Sequence, residues 1–163
     1  MSSRTLILMR HGKSGYPPGV GDHDRPLAER GRREAALAGE WIEKEGLDVD
    51  IVLCSTATRT RETLVCTGID AAAVYYVDDL YGGWPELILE AVRTHVPADA
   101  ATVLVVGHVP GMPATALELD PDAAIDQFPT SAYAVVSVGA EWDALGLAAD
   151  PAARMVGVRI PRE

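Results

Sequence analysis

The chain has 163 residues, the length of one ordinary domain, and folding should bury roughly 70% of the surface its extended form exposes. Apolar residues make up 48% of it and charged residues 23%, a globular balance that excludes disordered and collagen-like chains. The net charge of -10 argues against a nucleic-acid or anionic-membrane partner, since both call for a basic footprint, and leaves an anionic substrate open only where cations cluster locally. Arg10 and His11 interrupt the first apolar run too early for a signal peptide. No segment approaches the roughly 20 apolar residues of a membrane span, so a cytoplasmic location is expected. The two cysteines, Cys54 and Cys66, are too few for a disulfide scaffold and fit no zinc spacing. Cys54 is expected to be a buried thiol and Cys66 a helix residue; neither is a candidate nucleophile.

The first predicted element is the apolar run Leu6-Ile7-Leu8-Met9, which ends abruptly in Arg10-His11-Gly12-Lys13-Ser14. This pattern predicts a buried strand delivering polar groups to its C-terminal tip, where ligands bind in open α/β sheets. Arg10 offers a planar fork for phosphate or carboxylate, His11 can be nucleophile, base or ligand, and Gly12 lets the backbone approach a bound group. The breaker-rich stretch from Gly15 to Gly21 predicts an exposed loop beside that tip, continued by Asp22-His23-Asp24-Arg25-Pro26-Leu27. A helix is predicted from about Leu27 to Glu45, with Ala35, Ala38, Trp41 and Ile42 on one face and Gly46 as its stop. Asp50 to Cys54 reads as a second strand. Ser55 or Thr56 is expected to cap a helix running to about Thr67, which Gly68 ends.

A third strand is predicted at Val74 to Val77, then a turn at Tyr81-Gly82-Gly83 and a helix from Pro85 to about His95 with proline in its first turn. Thr102 to Val106 is the clearest buried strand and ends in Gly107-His108; a short helix from Pro110 or Pro113 to Leu119 follows. Asp120 to Pro129 reads as loop. Two last strands, Tyr133 to Val138 and Met155 to Ile160, flank a variable stretch containing Glu141-Trp142-Asp143, and the pattern leaves their direction open. Alternating strands and helices predict a three-layer α/β/α sandwich with a largely parallel central sheet, as a single domain over residues 1–163.

Two buried strands thus end in a histidine, at His11 and His108, and a third is followed one turn later by Arg59 near a helix N-terminus. If those strands are parallel neighbours, Arg10, His11, Arg59 and His108 meet at one sheet edge and form a cationic pocket suited to a tetrahedral dianion. Taken singly, Arg59 reads as a solvated helix residue and each histidine as a satisfied structural one; the repeated strand-tip position weakens that reading. Competing motifs fare worse. Gly12-Lys13-Ser14 resembles the end of a P-loop, but the required first glycine is Ile7. No Gly-x-Gly-x-x-Gly follows the first strand. His11, His23, His95 and His108 show no paired zinc spacing, and Arg10 beside His11 would repel a cation.

Arg10-His11-Gly12 after the first strand, Ser55-x-x-x-Arg59-x-x-x-Thr63 after the second, and Gly107-His108 after a later one resemble the signature of the histidine phosphatase superfamily. Asp24-Arg25-Pro26-Leu27 followed by Gly31, and Gly107-His108-Val109-Pro110-Gly111-Met112, are similar to its small SixA-type phosphohistidine phosphatases. The resemblance implies a phosphoglycerate-mutase-like fold and a transient phosphohistidine on His11. Arg10, Arg59 and His108 would hold the phosphoryl oxygens, with Arg25 a further phosphate-binding candidate that could instead pair with Asp24 or Glu29. His11 would then need its other ring nitrogen to donate to a backbone carbonyl or similar acceptor. No metal or organic cofactor is implied. Thr56 stands where the family commonly has proline, and Ala28 where a hydroxyl residue often caps the helix.

An alkoxide leaving group needs a general acid, which related mutases and phosphomonoesterases carry; the imidazole of phosphohistidine needs less help. Glu86 is the possible acid here, with Asp78 and Asp79 behind it, although a glutamate in a helix's first turn is also routine dipole compensation. With so compact a chain, this favours phosphohistidine in proteins as substrate. The alternatives are a small-molecule phosphomonoesterase on the same site and a phosphate- or phosphoprotein-binding module without turnover. The expected partner is a phosphorylated protein or small phosphorylated substrate, with no nucleic acid or membrane, and the chain is expected to be a monomer.

Overall fold

The computed structural model describes residues 3–163. Its strands are β1 (Arg4–Arg10), β2 (Ile51–Ser55), β3 (Ala73–Val77), β4 (Thr102–Gly107), β5 (Tyr133–Val138) and β6 (Arg154–Arg159); its α-helices are α1 (Glu29–Lys44), α2 (Thr58–Thr67), α3 (Pro85–His95) and α4 (Gly111–Leu119). The strands form one sheet in the order β3-β2-β4-β1-β5-β6. The first four in that order are mutually parallel, while β5 runs antiparallel to β1 and β6 antiparallel to β5.

Side chains alternate across a strand, so one apolar run feeds two cores. Leu6 and Leu8 of β1 join Leu53, Val103 and Val105 against Ile88 and Val92 of α3 and Met112 and Ala116 of α4. Ile7 and Met9 join Val52, Cys54, Leu104 and Val106 against Ala38 and Ile42 of α1 and Leu64 of α2. Helices therefore cover both faces, giving the three-layer α/β sandwich with a largely parallel sheet. Continuous runs such as Thr102–Gly107, buried at every position, are the sequence trace of a strand covered on both sides.

Several boundaries differ from expectation for identifiable reasons. Helix α1 starts at Glu29 rather than near Leu27, because Leu27 bridges Ser14 in an isolated antiparallel pair. Neither Ser55 nor Thr56 caps α2: the cap position is Ala57, without a side-chain bond. The Ser55 hydroxyl lies against His108 and that of Thr56 donates to Asp78. The stretch around Trp142 is no mere connector. Trp142 is fully buried, opens a short 3-10 turn (Trp142–Ala144), and donates Nε1–H to the Ala100 carbonyl at 2.7 Å.

Helices α1 and α2 meet at Gly39, where an added Cβ would stand 2.0 Å from the Thr67 carbonyl oxygen. Backbone cannot yield as a flexible side chain does. Gly39→Ala is therefore expected to destabilise the fold by about 2 kcal/mol or more, despite alanine's better helix propensity. The checking measurement is urea unfolding, read as a lower midpoint at unchanged slope.

Candidate active site

The C-terminal ends of β1, β2 and β4 converge because β4 lies between β1 and β2. Arg10 sits opposite Gly107 across the β1–β4 pair. The next residue, His11, is fixed on both backbone sides: its N–H donates to the Gly107 carbonyl at 3.0 Å, and its carbonyl accepts the Ser131 N–H at 3.0 Å. The chain then turns away at Gly12, whose N–H donates to Thr63 Oγ1 at 2.9 Å. A Cβ on Gly12 would stand 2.9 Å from the Gly31 carbonyl oxygen, and one on Gly31 would stand 2.1 Å from that of Lys13. Two glycines thus let α1 press directly on the loop that carries His11.

His11 Nδ1 lies 2.7 Å from the Gly12 carbonyl oxygen. A carbonyl only accepts, so Nδ1 carries the proton and Nε2 holds the lone pair. Burial drives the imidazole pKa down to about 4, and the guanidiniums of Arg59, Arg10 and Arg25 reinforce the shift. The His108 ring centroid is 5.3 Å from that of His11, and its Nε2 lies 2.8 Å from Ser55 Oγ. Burial, with His11 and Arg59 adding to it, lowers its pKa to about 3. Both rings are neutral at physiological pH.

Arg59, in the first turn of α2, is buried. Its Nη1 donates to the Asp22 carbonyl at 2.7 Å and its Nη2 to Asp22 Oδ2 at 3.1 Å. Arg10 Nη1 donates to the Phe128 carbonyl at 3.2 Å. The Nε atoms of both arginines are buried and have no acceptor among the described residues. Burying such a donor unsatisfied is costly, so an anion between the two guanidiniums would offset a standing penalty. A neutral nucleophilic nitrogen beside two unsatisfied guanidinium donors and a second imidazole is an arrangement that can accept a phosphoryl group.

The remaining candidates lie around this centre. Arg25 pairs with neither Asp24 nor Glu29. Its Nε donates to Asp22 Oδ1 at 3.1 Å, its Nη1 donates to Ser14 Oγ and the Gly15 carbonyl, and its guanidinium lies 4.2 Å from the centre of the Tyr16 ring. Glu86 is exposed in the first turn of α3 and makes no hydrogen bond or ion pair with the four central side chains. Asp78 is occupied by Thr56.

Three site residues escaped the sequence reasoning. Asp22 binds Arg25, Arg59 and the Tyr81 hydroxyl together. The Tyr81 hydrogen bond, with those of Arg25 and Arg59, holds its carboxyl well below the usual carboxylate range. Tyr81 packs edge-on against His108, ring centroids 5.4 Å apart. Ser131, fully buried with a left-handed φ of 64°, supplies the N–H on the His11 carbonyl. The three-residue spacing of Asp22 and Arg25 hinted at a local pair; nothing local announces Arg59 or Tyr81 as further partners.

A consequence of the neutral imidazoles is checkable in solution. An ordinary histidine is half protonated near pH 6.5. Here burial and three guanidiniums oppose the charge, so nitrogen-detected NMR of the free protein should find His11 protonated only below about pH 5, with a midpoint near 4. Correspondingly, kcat/KM should not fall as pH drops through 6.5 on account of His11.

Residues 6–81 match the sequence model of the histidine phosphatase superfamily (branch 1). An uncharacterized protein of Mycobacterium tuberculosis is 47% identical over 164 residues, covering 94% of this chain and all of that one. Phosphohistidine phosphatase SixA of Escherichia coli is 27% identical over 137 residues, 82% of this chain and 84% of that one. Among solved structures, that of a Nakamurella multipartitia protein provisionally named phosphohistidine phosphatase SixA superposes with a TM-score of 0.89. It is 44% identical, over 99% of this chain and 98% of that one. Strand-tip site, fold and relatives agree: the chain belongs to the histidine phosphatase superfamily.

Proposed function

We propose that this phosphatase, one catalytic domain, removes the phosphoryl group from phosphohistidine in proteins through a covalent intermediate on His11. His11 Nε2 attacks phosphorus as the bond from phosphorus to the substrate nitrogen breaks, and the electron pair leaves with the imidazole, which is protonated by solvent. Water then attacks phosphorus, the His11 Nε2–P bond breaks, and inorganic phosphate departs with the lost proton passing to solvent. Arg10 and Arg59, through their unsatisfied Nε donors, and His108 stabilise charge on the equatorial oxygens, the main catalytic device available in phosphoryl transfer. Arg25 acts at the rim, through Asp22 and Ser14.

The observation that carries the substrate class is the state of Asp22. It is the carboxylate bonded to Arg25 and Arg59, and both its oxygens accept, from those guanidiniums and from the Tyr81 hydroxyl, so it is held as an acceptor and not as a proton donor to a departing alkoxide. Imidazole leaves without such help far more readily than an alkoxide does. Phosphate release from a phosphohistidine-bearing protein and from an alkyl phosphate ester such as ethyl phosphate, whose leaving group is an alkoxide, measured side by side, tests this. A strong preference for phosphohistidine is expected. Preference for the ester would move the function to a small-molecule phosphomonoesterase and make Glu86 the next residue to replace. Binding of both without turnover would indicate a docking module.

A further inference from the structure

Asp22 has a second consequence, which rests on the phosphatase reading. Its carboxylate is more than half exposed, yet both oxygens and the main-chain carbonyl are anchored, to Arg25, Arg59 and Tyr81. It binds Arg59 through the Nη edge, while the buried Nε of the same guanidinium is unsatisfied. An anion held by that Nε would therefore share Arg59 with a fixed negative charge at the rim. Tyr81 connects that charge to His108, since its hydroxyl binds Asp22 and its ring lies against the imidazole. The same rim carries Asp78, tied through Thr56 to His23, and Asp24, 3.7 Å from His23 Nδ1. Arg25 is held at the rim with its Nε on Asp22 and its Nη1 on Ser14 and Gly15, so part of its charge is already matched by the Asp22 carboxylate.

We propose that Asp22 is a specificity-determining residue: its anchored carboxylate disfavours substrates bearing a second anion beside the phosphoryl group and admits those on a neutral or cationic nitrogen leaving group. The charge costs little at the phosphoryl group itself, whose oxygens face Arg10 and the inner side of Arg59. It acts on whatever projects past Tyr81. Selectivity of this kind comes from a repulsive element directed at the wrong ligand rather than from tighter contact with the right one.

Ethyl phosphate and 2-phosphoglycolate, which differ by one carboxylate, isolate the effect. Their inhibition constants against p-nitrophenyl phosphate turnover are measured for the wild type, Asp22→Asn and Asp22→Ser at low and high salt. The expected result is that both substitutions tighten 2-phosphoglycolate relative to ethyl phosphate by about tenfold, the order of one like-charge contact near a protein surface, and that salt narrows the difference. A ratio unchanged within twofold in both variants, whatever happens to the individual constants, overturns the proposal and leaves Asp22 as a support for Arg59. Should the wild type turn over no phosphorylated substrate, the phosphatase reading fails by itself. Dissociation constants of the same two probes by calorimetry then supply the ratio, and the same twofold and tenfold limits decide the role of Asp22.

Discussion

Replacing His11 with alanine is expected to lower kcat/KM for phosphorylated substrates by about ten-thousand-fold or more, the scale seen when a covalent nucleophile is removed. The fold should survive. The backbone bonds of His11 to Gly107 and Ser131 do not involve its side chain, and its one side-chain hydrogen bond is to its own neighbour, Gly12. Affinity for inorganic phosphate should fall far less than turnover, because Arg10 Nε and Arg59 Nε remain. His11→Asn is a closer test of shape: it keeps a polar group near the Gly12 carbonyl but presents no nucleophilic nitrogen. Steady-state kinetics together with phosphate binding by calorimetry separates lost chemistry from lost folding. A loss below about tenfold in both variants would assign the nucleophile elsewhere, with His108, 5.3 Å away, the next to replace.

Arg59 carries the second large effect. Arg59→Ala should cost about a thousandfold in kcat/KM, of the order of removing a preorganised charged donor from a developing oxyanion. Arg59→Lys should recover little of it. The guanidinium works on two sides, with Nη1 and Nη2 on Asp22 and Nε free, whereas an ammonium is a single point that cannot span both. A merely structural role would not move the histidines. Arg59 helps to lower the pKa of both His11 and His108, so in Arg59→Ala their protonation midpoints should rise, visible in the same NMR titration. Loss of rate without that rise would mean that Arg59 acts only by supporting the loop at Asp22.

The centre of the site was legible because chemistry-bearing residues sit directly after apolar runs. Met9-Arg10-His11-Gly12 and Val106-Gly107-His108 each show a buried strand stopping at a polar tip, and Arg59 follows β2 by less than two turns. Parallel order brings such tips to one edge, and the sheet order does so here. The surrounding contacts were not legible, because they depend on tertiary placement rather than on spacing. Asp22 meets Arg59 across 37 positions and Tyr81 across 59, and the bond of Ser131 to His11 depends on β5 lying beside β1. The directions of β5 and β6 had no local signal for the same reason. The misplaced cap of α2 has another cause: hydroxyls at Ser55 and Thr56 suit a helix start, but both are taken by partners far away, His108 and Asp78. Trp142 was hidden by its short 3-10 context, too brief for any hydrophobic period.

The most direct test of this chemistry is to look for the covalent intermediate. The protein is mixed with a phosphohistidine-bearing protein, quenched within milliseconds in alkali, where phosphohistidine survives, and the peptide containing His11 is weighed. One added phosphoryl group on His11 is predicted, lost on acid treatment and absent in His11→Ala. Turnover proceeding with no phosphoryl group on His11 at any quench time, or with the label on another residue, would contradict a His11 nucleophile.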